Sequence, residues 1–177
     1  KPVHLPILDP AQFVGMTPVV SSSITIAHAP SAGDFSSGSL RVSTADAQTN
    51  KTHRLSLPTR LEKGVRDGPV RAGGAGHVRL KCDDWSKVTR LYVSLCEEAG
   101  LTNRWLGTIV GDPRTFFGAT DPRYADAWNG KYRTVVLPSS DFTKVGSPSS
   151  WGRESRYYAG IHSVAFTLTT TAAVTID

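Results

Sequence analysis

The chain has 177 residues and a formal charge of +5, with 39% apolar and 20% charged residues. That length suits one domain with a core of useful size, and the composition excludes wholesale disorder. No apolar run approaches the roughly 20 residues a membrane-crossing helix needs.

Sixteen glycines and eleven prolines announce many turns. Abundant Ser, Thr and Val, without long Ala/Leu/Glu/Lys runs, favour strands over helices. Residues 1–18 carry prolines at 2, 6, 10 and 18 and read as an extended arm, leaving 19–177 as a single domain. Pro18 to Ala27 makes a plausible first strand, followed by a turn-rich loop to Gly38. Leu40 and Val42 then alternate with Arg41 and Ser43 in a half-buried strand. Ala45 to Lys51 reads as polar connection and Thr52 to Leu57 as a weak strand. Residues 59–76, with GVRDGPVRAGGAG, read as a long surface loop. It contains no phosphate-cradling G-x-x-x-x-G-K-[ST] pattern.

His77 to Lys81 restarts a strand, and Asp83 to Ser86 is a turn. Val88 to Leu95 is the clearest strand, with Leu91, Val93 and Leu95 on its buried face. Asn103 to Val110 is another and carries Trp105. Trp85 and Trp105 are expected to pack in the core or at an edge. The loop 111–130 holds Phe116, Phe117, Tyr124 and Trp128. Within it Asp121 should cap a short helix with Pro122 at its first position. In Lys131 to Leu137, Arg133, Val135 and Leu137 fall on one side of the strand; Tyr132, Thr134 and Val136 fall on the other. Pro138, which has no N–H to donate, should end that strand, and Phe142 should tuck under the sandwich edge. A second aromatic loop, 147–158, precedes closing strands at 161–169 and 172–176. Strands this numerous and short, with no long amphipathic helix, predict an all-β fold. The natural solution is a β-sandwich of two packed antiparallel sheets with little helix.

The basic residues are scattered rather than gathered in a stripe, which argues against nucleic acid as partner. The densest stretch, 51–81, has eight Lys or Arg against two acids and reads mainly as a solvated loop region. Cys82 and Cys96 form no zinc motif. Their pairing is left open, with buried free thiols the preferred reading. Lys1 is followed by His and Pro rather than by an apolar signal region, and no initiator Met is present. Val174 to Asp177 reads as a strand cut at its edge. The chain is therefore expected to belong to a larger protein.

Several stretches together resemble galactose-binding-like jelly-roll carbohydrate-binding modules. Asp84-Trp85-Ser86-Lys87-Val88-Thr89-Arg90-Leu91-Tyr92-Val93 is similar to their entry into a middle strand. Lys131 to Phe142, with Leu137-Pro138-Ser139-Ser140-Asp141-Phe142, is similar to their strand and exit. Trp151, Ile161 to Phe166 and Ala173 to Asp177 resemble their finish, and Gly38 to Val42 an early strand. Ser139 and residues 59–76 depart from the pattern. Such modules occur attached to polysaccharide deacetylases and to bacteriophage tail or depolymerase proteins. The resemblance implies a non-catalytic glycan-binding or docking module, extracellular or virion-associated, whose partner is a polysaccharide that can be acidic. It also implies a structural calcium ion in many relatives, for which Asp34 and Asp177 lie in suitable regions; no other cofactor is expected.

Sugar recognition needs flat rings for pyranose faces and planar polar groups for hydroxyls. Tyr124, Trp128, Trp151, Tyr157 and Tyr158 supply the rings. Arg123, Arg153 and Arg156 supply the polar groups, with Arg114, Asn129 and Glu154 beside them, and arginines would pair with carboxylates of an acidic glycan. The alternative for Trp128 and Trp151 is to plug the ends of the sandwich. Two further functions stay open. One is a polysaccharide lyase or hydrolase on a concave sheet, drawing on Tyr92 and His162 or on a carboxylate pair from Asp112, Asp121, Asp126 and Glu154. The other is a virion assembly protein, a decoration or capsid subunit, contacting neighbours through the arm and the long loop.

Overall fold

A computed structural model of the chain describes residues 23–30, 38–56, 75–96, 101–148 and 163–177. The strands are β1 (Ile24–Ala29), β2 (Ser39–Thr44), β3 (Gln48–Ser56), β4 (Ala75–Leu80), β5 (Val88–Cys96), β6 (Arg104–Gly111), β7 (Thr115–Phe116), β8 (Arg133–Pro138), β9 (Thr143–Val145), β10 (Ser163–Thr170) and β11 (Thr175–Ile176). A short helix, α1, covers Pro122–Asp126, and 3₁₀ turns cover Trp85–Lys87 and Ser139–Asp141.

All strand pairings among these residues are antiparallel. One layer has the order β3-β10-β5-β6-β7, with β9 also on β6. The other is built from β1-β2-β11 and β4-β8. These two pieces join where Lys81 and Asp177 exchange backbone hydrogen bonds of 2.8 Å each way, beside a bridge between Cys82 and Ile176. The layers face each other across one core. Leu91, Val93, Leu95, Trp105, Ile109, Val164 and Leu168 come from the first, and Leu80, Val135, Leu137 and Val174 from the second. Burying each such side chain contributes about 1.5–3 kcal/mol, so this two-sided wall is the main source of stability. The fold is thus the two-sheet antiparallel sandwich the strand pattern predicts, of the jelly-roll type the resemblance implies.

Several local expectations hold for visible reasons. Leu91, Val93 and Leu95 are buried together. Asp84 caps the 85–87 turn, its Oδ1 accepting from the Ser86 amide at 3.0 Å. Asp121 caps α1 in the same way, accepting from the Arg123 amide at 3.0 Å, with Pro122 opening the helix. Pro138 is the last residue of β8. Beyond it Phe142 turns back into the core, its ring against Gly76 and Gly107. Trp85 and Trp105 are core residues.

Others are corrected. β3 begins at Gln48, so residues 48–51 are strand and not connection. The polar run still pairs because β10 supplies partners from Ser163 to Thr170. The pattern also missed β7 and β9, which are two and three residues long and too short to show a period. The preferred reading of the cysteines holds: Cys82 and Cys96 are both buried and form no disulfide with each other. Burial pushes the Cys82 thiol up to about 12, which keeps it protonated and inert. Asp177 has its carboxylate against Arg41 at 2.6 Å and Lys81 at 3.1 Å, two cations where a calcium ion would need anionic oxygens. Asp34, the arm at 1–18 and most of the long loop at 59–76 lie outside the described residues.

Candidate functional site

Four pieces of chain converge at one end of the sandwich. The 85–87 turn, β7, α1 and the first residue of β8 are held together by hydrogen bonds. The Trp85 amide donates to Asn129 Oδ1 at 2.7 Å, and the Gly130 amide to the Cys82 carbonyl at 2.8 Å. Arg114 donates to the Val88 carbonyl at 3.0 Å and to the Trp85 carbonyl at 2.5 Å. An arginine fanned over two carbonyls acts here as a brace, and it fixes the floor on which the aromatic loop stands.

On that floor sits a cluster of rings. Trp85 packs on Phe116 at 4.8 Å, Phe116 on Phe117 at 4.2 Å, and Tyr124 lies 6.0 Å from Phe116. Trp128 is half-buried against the same core. Phe117 has φ +51°, a left-handed conformation that a bulky side chain adopts only under constraint. At the centre is the guanidinium of Arg133. It lies 4.5 Å from the Trp128 ring, 4.6 Å from Tyr124, 4.9 Å from Phe117 and 5.7 Å from Phe116. Its Nη2 donates to the Tyr124 hydroxyl, and its Nη1 is buried with no acceptor among the described residues. Among the described residues no carboxylate pairs with it. The register explains its position: Arg133 shares the inward phase of Val135 and Leu137 on β8. Because it comes first in the strand, its head reaches the mouth of the core, where ring faces stabilise a cation.

The predicted site residues fall into two groups. Tyr124, Trp128 and Arg123 come together at this end. Tyr124 is 39% exposed. Arg123 is 88% exposed at the side chain and pairs with Asp121 at 2.8 Å. Hydrogen bonds to Arg123 hold the Asp121 carboxyl below its ordinary range. Trp151, Arg153, Arg156, Tyr157 and Tyr158 lie outside the described residues, as do His162 and Glu154. Sequence reasoning missed Arg133, Phe116 and Phe117 as members of the cluster. The available signal was a charged residue in the inward phase of an apolar strand, next to a loop dense in rings.

The groups named for catalysis are dispersed. Tyr92 stands on the outer face of the larger sheet between Thr167 and Thr108, beside Arg90 at 5.7 Å. Asp112 pairs with Arg90, and Asp121 with Arg123. Among the described residues no group of His, Cys, Asp or Glu could hold a metal ion.

No protein-family profile matches the sequence, and no curated protein matches it. Among solved structures the chain is similar to a family 11 carbohydrate-binding module of the cellulosomal cellulase Lic26A-Cel5E of Clostridium thermocellum. The TM-score is 0.50 at 14% identity, over 100% of this chain and 93% of that one. A looser likeness, at TM-score 0.36 and 14% identity over 92% of this chain and 82% of that one, is to a family 11 module of the same organism in complex with a β-1,3-1,4-mixed-linked tetrasaccharide. The first of these likenesses supports the fold, a jelly-roll β-sandwich, in line with the resemblance carried by the strand motifs.

Proposed function

We propose that the chain is a non-catalytic module that binds a glycan at the α1 end of its sandwich. The observation that carries this is Tyr124. Of the aromatic residues described, it is the exposed one, and its ring rests on the Arg133 guanidinium. A ring held from below loses little freedom when a pyranose stacks on its open side. Arg123 and Asp121 stand at its rim as planar partners for hydroxyls. The half-buried Trp128 completes the platform; Trp151, Arg153, Arg156, Tyr157 and Tyr158, outside the described residues, are proposed as further glycan contacts. The arginine pairing of Asp112 and Asp121 favours binding over glycoside hydrolysis.

A glycan array of the wild type against Tyr124→Ala and Trp128→Ala tests this. The folded wild type should bind a defined set of glycans. Tyr124→Ala should bind them about tenfold more weakly, with its unfolding midpoint within a few degrees of wild type. A folded wild type that binds no glycan would overturn the reading. We further propose that the module serves a larger extracellular or virion-associated protein, either a polysaccharide-degrading enzyme or a bacteriophage tail protein. The full reading frame would decide between them.

A further inference from the structure

Residues 114–133 hold four cations, Arg114, Arg123, Lys131 and Arg133, against two carboxylates, Asp121 and Asp126. Their partners differ. Arg123 is neutralised by Asp121. Arg114 donates to two backbone carbonyls and Lys131 to the Ala127 carbonyl at 3.2 Å, so both keep their charge. Arg133 has a hydroxyl and four rings around it and no carboxylate among the described residues. On the neighbouring turn Asp84 is matched by Lys87 at 3.6 Å. The end of the sandwich thus carries an excess of positive charge, and its centre lies directly beneath the exposed Tyr124 ring.

Position decides what that charge does. A guanidinium 4.6 Å from the Tyr124 ring engages one face of it and draws on its electron density. The open face of Tyr124 then lies above a half-buried cation that no carboxylate pairs with among the described residues. Such a face disfavours a cationic ligand and favours one bearing negative charge.

We infer that the glycan taken at this end is acidic, a polymer of carboxylate-bearing sugars, and that Arg133 sets the preference. This rests on the glycan-binding reading of the same end. Arg133 acts from behind the platform as a positioned charge, whereas Arg123 at the rim is the group within reach of the sugar.

The experiment compares polymers that differ only in charge: polygalacturonate and hyaluronan, each beside its methyl ester, with a neutral β-glucan as reference. Binding is measured by affinity electrophoresis at low and at physiological salt, with the unfolding midpoint of every variant. The wild type should prefer an acid to its ester by about three- to fivefold, and the preference should shrink as salt rises. Tyr124→Ala should weaken binding of both members of the pair about tenfold. Arg133→Met should bring acid and ester to near equality, and Arg133→Lys should restore the preference; if Arg133→Met does not fold, Arg133→Lys and the salt series carry the decision. Equal binding of acid and ester, or binding of neutral polymers alone, overturns the inference while leaving glycan binding intact. Acid polymer bound by Tyr124→Ala as tightly as by the wild type overturns it too, because the charge would then act anywhere on the surface. Acid preference unchanged in folded Arg133→Met removes Arg133 from the role. Absence of binding to every polymer instead sinks the glycan-binding reading itself.

Discussion

His53 sits on β3 and is 1% exposed, with no partner for either ring nitrogen among the described residues. Burial, with a smaller effect from the charge of Lys51, lowers its pKa to about 4. In the unfolded chain the same ring takes a proton near pH 6.5. Acidification therefore loads the unfolded state first. The stability held by neutral His53 is complete above about pH 6.5 and drains as pH falls toward 4, by about 3 kcal/mol in all. Urea unfolding between pH 4.5 and 7.5 should show this slope, and His53→Leu should flatten it. An unchanged slope in His53→Leu would place the acid sensitivity elsewhere. His53 was not legible as special: it lies in a polar run, and only the pairing of β3 with β10 turns its ring toward the core. Arg133 was partly legible. Its phase with Val135 and Leu137 is written in the strand, but that rings from β7, α1 and the residues just after them surround it is a matter of tertiary packing.

Among the elements, the exit from β8 is the most telling. The chain leaves Pro138 through a 3₁₀ turn, closed by the Phe142 amide on the Ser139 carbonyl at 3.4 Å, and returns as β9 on β6. Phe142 locks the return because Gly107 on β6 leaves room for its ring. A Cβ at Gly107 would stand 2.9 Å from the Phe142 ring and 3.0 Å from a Leu137 methyl. Gly107→Ala should therefore cost about 1–3 kcal/mol by overpacking. Phe142→Ala should cost about 3–5 kcal/mol by leaving a cavity. Denaturant unfolding measures both, and a loss below 1 kcal/mol for Phe142→Ala would show that β9 does not depend on this ring. The motif through Phe142 was readable because alternation and a proline are local signals. β9 was not, because three residues carry no period and its pairing depends on β6.

At the level of the whole molecule, the second layer is strapped across its strands by charge. Asp177 is buried, with 2% of its side chain exposed, between Arg41 on β2 and Lys81 just after β4. Lys81 in turn lies 4.8 Å above the Tyr132 ring at the entrance to β8. Burial pushes the Asp177 carboxyl up, but hydrogen bonds from Arg41 and Lys81 and their charges more than reverse this, holding it below the ordinary carboxylate value. Its contribution is therefore present above about pH 4 and lost on further acidification. Asp177→Asn should leave two cations facing each other and cost about 1–3 kcal/mol, read as a lower melting point at neutral pH. No loss there would show that the strap is incidental. The two antiparallel layers and most of the core were legible in the chain, because the longer strands repeat their inward face every second residue. The strap was not, since it joins residues 136 apart in sequence.

The same holds for the aromatic end. Tyr124, Trp128 and Arg123 could be named from their loop, but the cation beneath them could not. Hydrogen exchange of the intact chain, with and without a polysaccharide that it binds, addresses the central claim most directly. Protection should concentrate on residues 115–133, around α1 and the start of β8. Protection confined to the outer face of β3, β10 and β5, with residues 115–133 unchanged, would contradict the account.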